Sequence, residues 1–223
     1  MTTGTTASGT FYFFNKKSNS NPIIFIHGVG LNHEMWQPQL DFFKNYSTLS
    51  YDILGHGKST LTKKNISFDD FSDQLIELTH ELKINKFHLI GFSIGSLIAR
   101  NFATRFNDRL QSLILLGSIY RRSEQQQKIV NERFNQAKKE LKLSKQALKR
   151  WFTNKYLEDN PDTYKKISSI LSSNNMDYFL KVYELFVKHK NDEKFEKIET
   201  NTLVMTGEHD VGSTIEMSEE LIK

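Results

Sequence analysis

The 223-residue chain contains no cysteine, which excludes a disulfide framework and any metal site built from thiolates. It also has no apolar run near the roughly 18 residues that a membrane-spanning helix requires. Residues 1–10 are rich in threonine, glycine and serine, and no basic residue precedes an apolar stretch, so this segment does not have the layout of a secretory signal. We therefore expect a cytoplasmic protein with no membrane partner.

Charge is distributed unevenly along the chain. Residues 120–200 carry 18 Lys/Arg and 12 Asp/Glu, a net charge of +6, whereas the rest of the chain has a net charge of −2. Because the acidic residues are interspersed among the basic ones, a solvated helical surface explains the excess most simply, and binding of an acidic ligand or of nucleic acid is the alternative. We expect no nucleic-acid partner, and the oligomeric state is left open.

Short apolar runs alternate with helical patterns over the first half of the chain. The runs Ile23–Ile26, Lys86–Ile90 and Leu110–Leu116 end close to glycines, and Leu203–Thr206 is a fourth run of this kind. Strands that are apolar on both faces belong inside a parallel sheet with helices on each side. The order strand, turn, helix therefore predicts an α/β fold with a mainly parallel sheet flanked by helices.

Between about residues 121 and 190 no comparable strand pattern is present, and the spacing is helical, as from Phe179 to Phe186. We therefore predict a helical cap insertion at residues 120–198, which divides the core domain into residues 1–119 and residues 199–223. Such an insertion would cover the carboxyl ends of the strands, where open α/β sheets bind ligands. A stack of helices without substrate contact is the alternative.

The segment Gly91-Phe92-Ser93-Ile94-Gly95 is the strongest indication of chemistry. It follows a predicted strand and opens a predicted helix, the context in which G-x-S-x-G places a nucleophilic serine on a sharp turn. The flanking glycines are expected because side chains there would collide with neighbouring segments. We therefore predict Ser93 as the nucleophile and the Ile94 N–H as an oxyanion donor, with an ordinary tight turn as the alternative.

The segment His27-Gly28-Val29-Gly30 follows the first buried strand. Its glycines allow a close approach to the Ser93 turn, and the Val29 N–H is the natural second donor to an oxyanion. His27 itself is expected to have a structural role, because the end of the strand directs it into the packing of the loop.

Together these segments resemble the ordered landmarks of the α/β-hydrolase superfamily. The landmarks are His27-Gly28-Val29-Gly30, Tyr51 to Ser59, Gly91 to Gly95, and Gly207-Glu208-His209-Asp210. Within the superfamily, Met35-Trp36 ahead of Pro38 is similar to the branch of enol-lactonases and meta-cleavage-product hydrolases.

This resemblance implies two further site residues. Asp210 stands where the family has the acid that orients the catalytic histidine, and a turn aspartate that caps the next helix is the alternative. Trp36 follows the oxyanion loop and is predicted to line the substrate pocket, although a large amphipathic ring is as often part of a core.

The superfamily places its catalytic histidine after the acid, but no histidine follows Asp210. We therefore expect the chain to be a fragment that lacks its last strand, its last helix and its general base, and hence to be inactive or crippled. Among the histidines that are present, His33 near the oxyanion loop is the least implausible substitute.

The function that the sequence predicts is a serine hydrolase that cleaves a small carboxylic ester or lactone through an acyl-enzyme at Ser93. No cofactor is expected, and no metal is expected because the histidines are scattered. The alternative is a ligand-binding protein on the same scaffold without catalysis.

Overall fold

The computed structural model describes residues 2–17, 20–140, 146–190 and 197–223. These residues form a seven-stranded sheet. The strands are β1 (Thr2–Thr5), β2 (Phe11–Asn15), β3 (Ile23–Ile26), β4 (Thr48–Tyr51), β5 (Phe87–Phe92), β6 (Leu110–Leu116) and β7 (Thr202–Met205). Their spatial order is β1-β2-β4-β3-β5-β6-β7. Only the pairs β1–β2 and β2–β4 are antiparallel, which confirms the predicted, mainly parallel sheet.

Nine α-helices lie in the described ranges. They are α1 (Gln37–Phe42), α2 (Phe68–Glu81), α3 (Ile94–Arg105), α4 (Glu124–Glu140), α5 (Gln146–Trp151), α6 (Asn154–Asp159), α7 (Pro161–Ser172), α8 (Met176–Lys188) and α9 (Ile215–Leu221). None of these helices has both the length and the apolar character needed to cross a bilayer.

Strand β3 shows why the apolar runs are unbroken. Ile24 and Ile26 pack in the large core cluster with α2 and α3, while Phe25 points to the other face and packs with Trp36 and Leu40. All three strand residues have no exposed surface. Because helices cover both faces of the sheet, each side chain of a central strand is buried, and an alternating pattern is absent.

The start of α2 follows directly from its sequence. The Ser67 hydroxyl and the Asp70 carboxylate form a reciprocal capping box, in which the Ser67 N–H donates to the Asp70 Oδ2 at 2.7 Å. Behind it Phe71, Leu75 and Leu78 are buried at helical spacing. The helix therefore begins directly after Ser67.

Between β6 and β7 the described residues form five helices, α4 to α8, and no strand. Leu148 of α5 and Ile167 of α7 bury against Leu31, which lies in the loop after β3. Val182 of α8 joins the large core cluster. The helices thus pack onto the loops at the carboxyl ends of the strands. The boundaries 120–198 stay a prediction, and residues 141–145 and 191–196 of that range lie outside the described residues.

The two ends of the sheet differ from its centre. Strand β1, which the sequence analysis did not predict, pairs with β2 as a hairpin. At the opposite end β7 pairs with β6, and its side chains are unusually exposed for apolar groups: Leu203 is 52% exposed and Met205 is 49% exposed. An apolar strand at the edge of a sheet offers unpaired backbone groups to another chain.

Candidate active site

Ser93 lies at the turn between β5 and α3. Its backbone has φ of +56° and ψ of −118°, a left-handed conformation that a residue with a side chain adopts only when its surroundings impose it. The surroundings here include a hydrogen bond from the Ser93 N–H to the Leu116 carbonyl oxygen, 2.9 Å long. The side chain is half-buried. The chain therefore makes the sharp strand-to-helix turn that the sequence predicts.

The two glycines of this turn have no room for a side chain. A methyl group on Gly91 would lie 2.2 Å from the Gly95 carbonyl oxygen, and a methyl group on Gly95 would lie 2.5 Å from the Ile26 carbonyl oxygen. Both contacts are with backbone, which cannot rotate away. The close approach of α3 to β5 requires glycine at position 91, and its close approach to β3 requires glycine at position 95.

The loop after β3 brings a second backbone donor to the same place. A methyl group on Gly28 would lie 3.5 Å from the Ser93 Cβ, so this loop runs directly beside the serine. The Val29 N–H donates to no backbone acceptor among the described residues. The Ile94 N–H is the first of α3, and the first N–H groups of a helix have no partner within that helix.

Two buried imidazoles hold this loop in place. The His56 Nε2 accepts a hydrogen bond from the Gly30 N–H at 2.9 Å, and the His27 Nε2 accepts one from the Ile53 N–H at 3.0 Å. The His27 Nδ1 lies 2.8 Å from the Gly28 carbonyl oxygen. Each ring therefore acts as a neutral imidazole that joins two loops, as expected for His27.

Burial keeps both imidazoles neutral. It lowers the pKa of His27 from 6.5 to about 4 and the pKa of His56 from 6.5 to about 3. Their ring centroids are 5.5 Å apart, so a proton on one ring also disfavours a proton on the other.

Asp52 is fully buried below the same loop. Its Oδ1 accepts hydrogen bonds from the His33 N–H at 2.8 Å and from the His33 ring at 2.7 Å, and its Oδ2 accepts one from the Lys58 N–H at 2.8 Å. Burial raises the pKa of Asp52, but the hydrogen bonds and the neighbouring imidazoles outweigh it and hold the pKa below 3.8. His33 is therefore held beside Asp52 by these two hydrogen bonds.

Ser93 opens into a cavity of about 250 Å³ between the sheet and the cap helices. Gly28, Val29 and Asp210 line the same cavity. The structure thus brings together the serine, the loop with the free N–H and the predicted acid, which come from three distant parts of the sequence. The volume is below the range of sites for drug-sized ligands, so the cavity suits a small molecule.

Asp210 lies in the turn after β7. Its carboxylate accepts hydrogen bonds from the Gly212 N–H at 2.8 Å, the Ser213 N–H at 3.0 Å and the Ser213 hydroxyl at 2.8 Å. The helix that follows is capped by Thr214 instead. These contacts fix the carboxylate at the mouth of the cavity.

Trp36 does not line the cavity. It is 3% exposed and packs against Phe25, with ring centroids 5.0 Å apart. Its place on the opposite face of the sheet from α3 follows from the direction of Phe25 in β3. Trp36 is therefore part of the core and not, as predicted, part of the cavity wall.

No histidine lines the cavity of Ser93 in the described part of the chain, which includes all seven histidines. His33 contacts Asp52, and His209 is exposed beside Glu208. The same described ranges contain no group of three or more His, Asp or Glu side chains placed to hold a metal ion.

The segment between β6 and β7 contributes a group of cations that the sequence analysis did not single out. Arg122, Arg133 and Arg150 all line the cavity, together with Tyr183 of α8. Burial raises the pKa of Tyr183, while the charges of all three arginines lower it. Its hydroxyl thus lies within the field of three guanidinium groups. The only signal in the sequence was the basic excess of residues 120–200.

The turn at Ser93 and the order of the strands define the class of protein. The chain belongs to the α/β-hydrolase-fold family, whose sequence model matches residues 21–223. The predicted superfamily is therefore confirmed.

Individual relatives agree with the family. An (E)-2-((N-methylformamido)methylene)succinate hydrolase of Acinetobacter baylyi is 30% identical over 212 residues, which are 94% of this chain and 80% of that enzyme. A 3-oxoadipate enol-lactonase of the same organism is 25% identical and matches 86% of this chain and 73% of that enzyme. The crystal structure of an enol-lactonase from Burkholderia xenovorans has a TM-score of 0.87 at 24% identity, covering 95% of this chain and 83% of that one. The structural likeness shows the shared fold.

Proposed function

We propose that this protein is a serine hydrolase that cleaves a carboxylic ester or a lactone through an acyl-enzyme at Ser93. The observation that carries the proposal is the strained Ser93 backbone at the β5–α3 turn, beside a loop with an unused N–H and open to a cavity. Strain of this kind persists where the surroundings over-determine it, and it is concentrated at functional sites. One relative is named as an enol-lactonase, which supports a lactone as the substrate, and another is named as a hydrolase of a substituted succinate, which supports hydrolysis.

In this mechanism the Ser93 Oγ attacks the carbonyl carbon. The Val29 and Ile94 N–H groups donate hydrogen bonds to the oxyanion that forms, and the positive end of the α3 dipole adds to its stabilisation. Collapse of the tetrahedral intermediate breaks the bond to the alcohol oxygen, which takes a proton from the base, and leaves the acyl group on Ser93; with a lactone the alcohol stays attached to that acyl group. Water then releases the acid.

The attack also requires a base to accept the hydroxyl proton. Since none of the seven histidines lines the cavity, the proposal assigns this role to a histidine that is not among them, with Asp210 as the acid that orients it. We accordingly expect the 223-residue chain alone to hydrolyse esters slowly, because one missing member of a triad leaves only about 10³–10⁴-fold acceleration over water.

Labelling with a fluorophosphonate in the presence of added imidazole, which replaces the missing base, tests the nucleophile. We expect the wild-type chain and Ser172→Ala, which changes an exposed serine on α7, to label at equal rates, and Ser93→Ala not to label. Added imidazole then tests the missing base. It should accelerate the hydrolysis of 4-nitrophenyl acetate by the wild type beyond the rate of imidazole with Ser93→Ala. Equal labelling of the Ser93 variant would refute the proposal.

A ligand-binding protein without catalysis is the second candidate. It is favoured by the absence of an imidazole beside Ser93 within the described residues. The two candidates differ in the imidazole experiment, because a binding protein gains no Ser93-dependent rate at any imidazole concentration.

A further inference from the structure

Arg133 and Arg150 approach the Ser93 cavity from two different cap helices. Arg133 lies in the middle of α4 and Arg150 lies near the end of α5, and both line the cavity. Tyr183 reaches the cavity from α8, which packs against α4. Arg133, Arg150 and Tyr183, which span 50 residues of sequence, thus come from three helices to the wall of one small cavity.

Neither guanidinium has an anionic partner. Within residues 2–17, 20–140, 146–190 and 197–223, no carboxylate forms an ion pair with Arg133 or Arg150, and no acceptor forms a hydrogen bond with either. Burial and then the charge of Arg133 lower the pKa of Arg150. Two nearby like charges without a counter-ion repel each other, so an anion bound between them would stabilise both.

Arg122 differs from the other two arginines. Its guanidinium donates to the Phe186 and Val187 carbonyl oxygens at 3.2 Å, and it lies over the Phe186 ring at 4.6 Å from the centroid. These carbonyls belong to the last turn of α8, where a cation is favoured. Arg122 therefore holds α8 in place, and the two arginines with free donors are Arg133 and Arg150.

The geometry points to a carboxylate-binding subsite formed by Arg133, Arg150 and the Tyr183 hydroxyl, so that the substrate is an ester or lactone that carries a free carboxylate. This inference rests on the proposed function, because it places the scissile carbonyl at Ser93 and the carboxylate at the opposite, cap-lined wall. Guanidinium groups bind carboxylates through two parallel N–H donors, and the tyrosine hydroxyl supplies a third. The basic excess of the cap would also attract an anionic substrate.

Isothermal titration with monomethyl glutarate and with dimethyl glutarate tests the subsite, because the two probes differ by one charge and one methyl group. We expect the monoester to bind the wild type and Ser93→Ala alike, and to bind at least tenfold more tightly than the diester. Arg133→Gln and Arg150→Gln should each weaken the monoester by roughly 10- to 100-fold, the range for a hydrogen bond to a charged group. Lys149→Gln, which removes a neighbouring exposed charge outside the cavity, should leave binding unchanged.

The inference is overturned if the diester binds the wild type as tightly as the monoester, or if the two arginine variants bind the monoester as the wild type does. Fluorophosphonate labelling of the same variants in the presence of added imidazole separates this inference from the proposed function. Unchanged monoester binding with normal Ser93 labelling rejects the subsite and leaves the hydrolase standing. Arginine-dependent binding in a chain that does not label supports the subsite and rejects the hydrolase.

Discussion

The buried imidazoles of His27 and His56 should make the protein sensitive to mild acid. Burial lowers their pKa values to about 4 and about 3 in the folded chain, whereas both groups titrate near 6.5 once the chain unfolds. The unfolded chain then binds protons that the folded chain does not accept. The free energy of unfolding is therefore highest above pH 6.5 and falls as the pH is lowered toward the folded pKa values.

The size of the loss follows from these values. At pH 5 each imidazole favours the unfolded chain by about 2 kcal/mol. Together the two imidazoles therefore lower the free energy of unfolding by about 4 kcal/mol relative to pH 8. That is a large part of the roughly 5–15 kcal/mol by which a folded domain is stable. Asp52 adds to the loss mainly below its ordinary pKa of 3.8, so that the two buried histidines dominate the loss between pH 8 and pH 5.

Urea unfolding followed by circular dichroism at pH 8, 7, 6 and 5 measures this loss. His56→Gln keeps an oxygen that can accept the Gly30 N–H but takes up no proton, and it should lose about 2 kcal/mol less than the wild type over this range. The matched control is His80→Gln, which changes an exposed imidazole on α2. It should show the same pH dependence as the wild type.

Two results would contradict this reasoning. One is a wild-type free energy of unfolding that changes by less than about 1 kcal/mol between pH 8 and pH 5. The other is an unaltered acid loss in His56→Gln, which would mean that the protons are taken up elsewhere. The wild-type measurement decides the first point even if the variant does not fold.

Three further substitutions test the turn at Ser93, the packing of the cap helices and the exposed edge strand β7. Gly95→Ala would place a methyl group 2.5 Å from a backbone carbonyl oxygen, and we expect roughly 1–3 kcal/mol lower stability in urea and slower labelling of Ser93. Asn174→Ala removes the 2.8 Å hydrogen bond from the cap to the Gly30 carbonyl oxygen. Thermal melting should show a loss of stability of about 1 kcal/mol, and the labelling of Ser93 should be slower. Leu203→Lys places a charge on the exposed edge strand, and size-exclusion chromatography should show less self-association.

Each of these expectations has its own counter-result. Gly207→Ala is the matched control for Gly95→Ala, because nothing lies within 4 Å of its added methyl group. Equal losses of stability in the two glycine variants would contradict the steric argument. Asn45→Ala, an exposed change far from the cap, should be neutral, and unchanged labelling of Asn174→Ala would show that the cap does not position the oxyanion loop. If the wild type is monomeric at high concentration, the exposed edge strand β7 does not cause self-association.

The sequence by itself determined the alternation of strands and helices and the place of the Ser93 turn. Local chemistry is sufficient for these features. An apolar run such as Ile23–Ile26 is stable only inside a covered sheet, Ser67 and Asp70 cap α2 through near neighbours, and glycines at 91 and 95 permit a contact that no other residue allows. In each case the decisive interactions join residues that are close in sequence or follow from a single residue type.

Only the tertiary structure decided which side chains share the cavity. Arg133 and Arg150 carry no motif, and whether a cap arginine faces solvent or substrate depends on how separate helices pack, which periodicity does not encode. Trp36 shows the converse, since its position after the oxyanion loop favoured the pocket but the direction of Phe25 placed it in the core. A site assembled from distant segments depends on long-range packing, because neither its charges nor its apolar walls are neighbours in sequence.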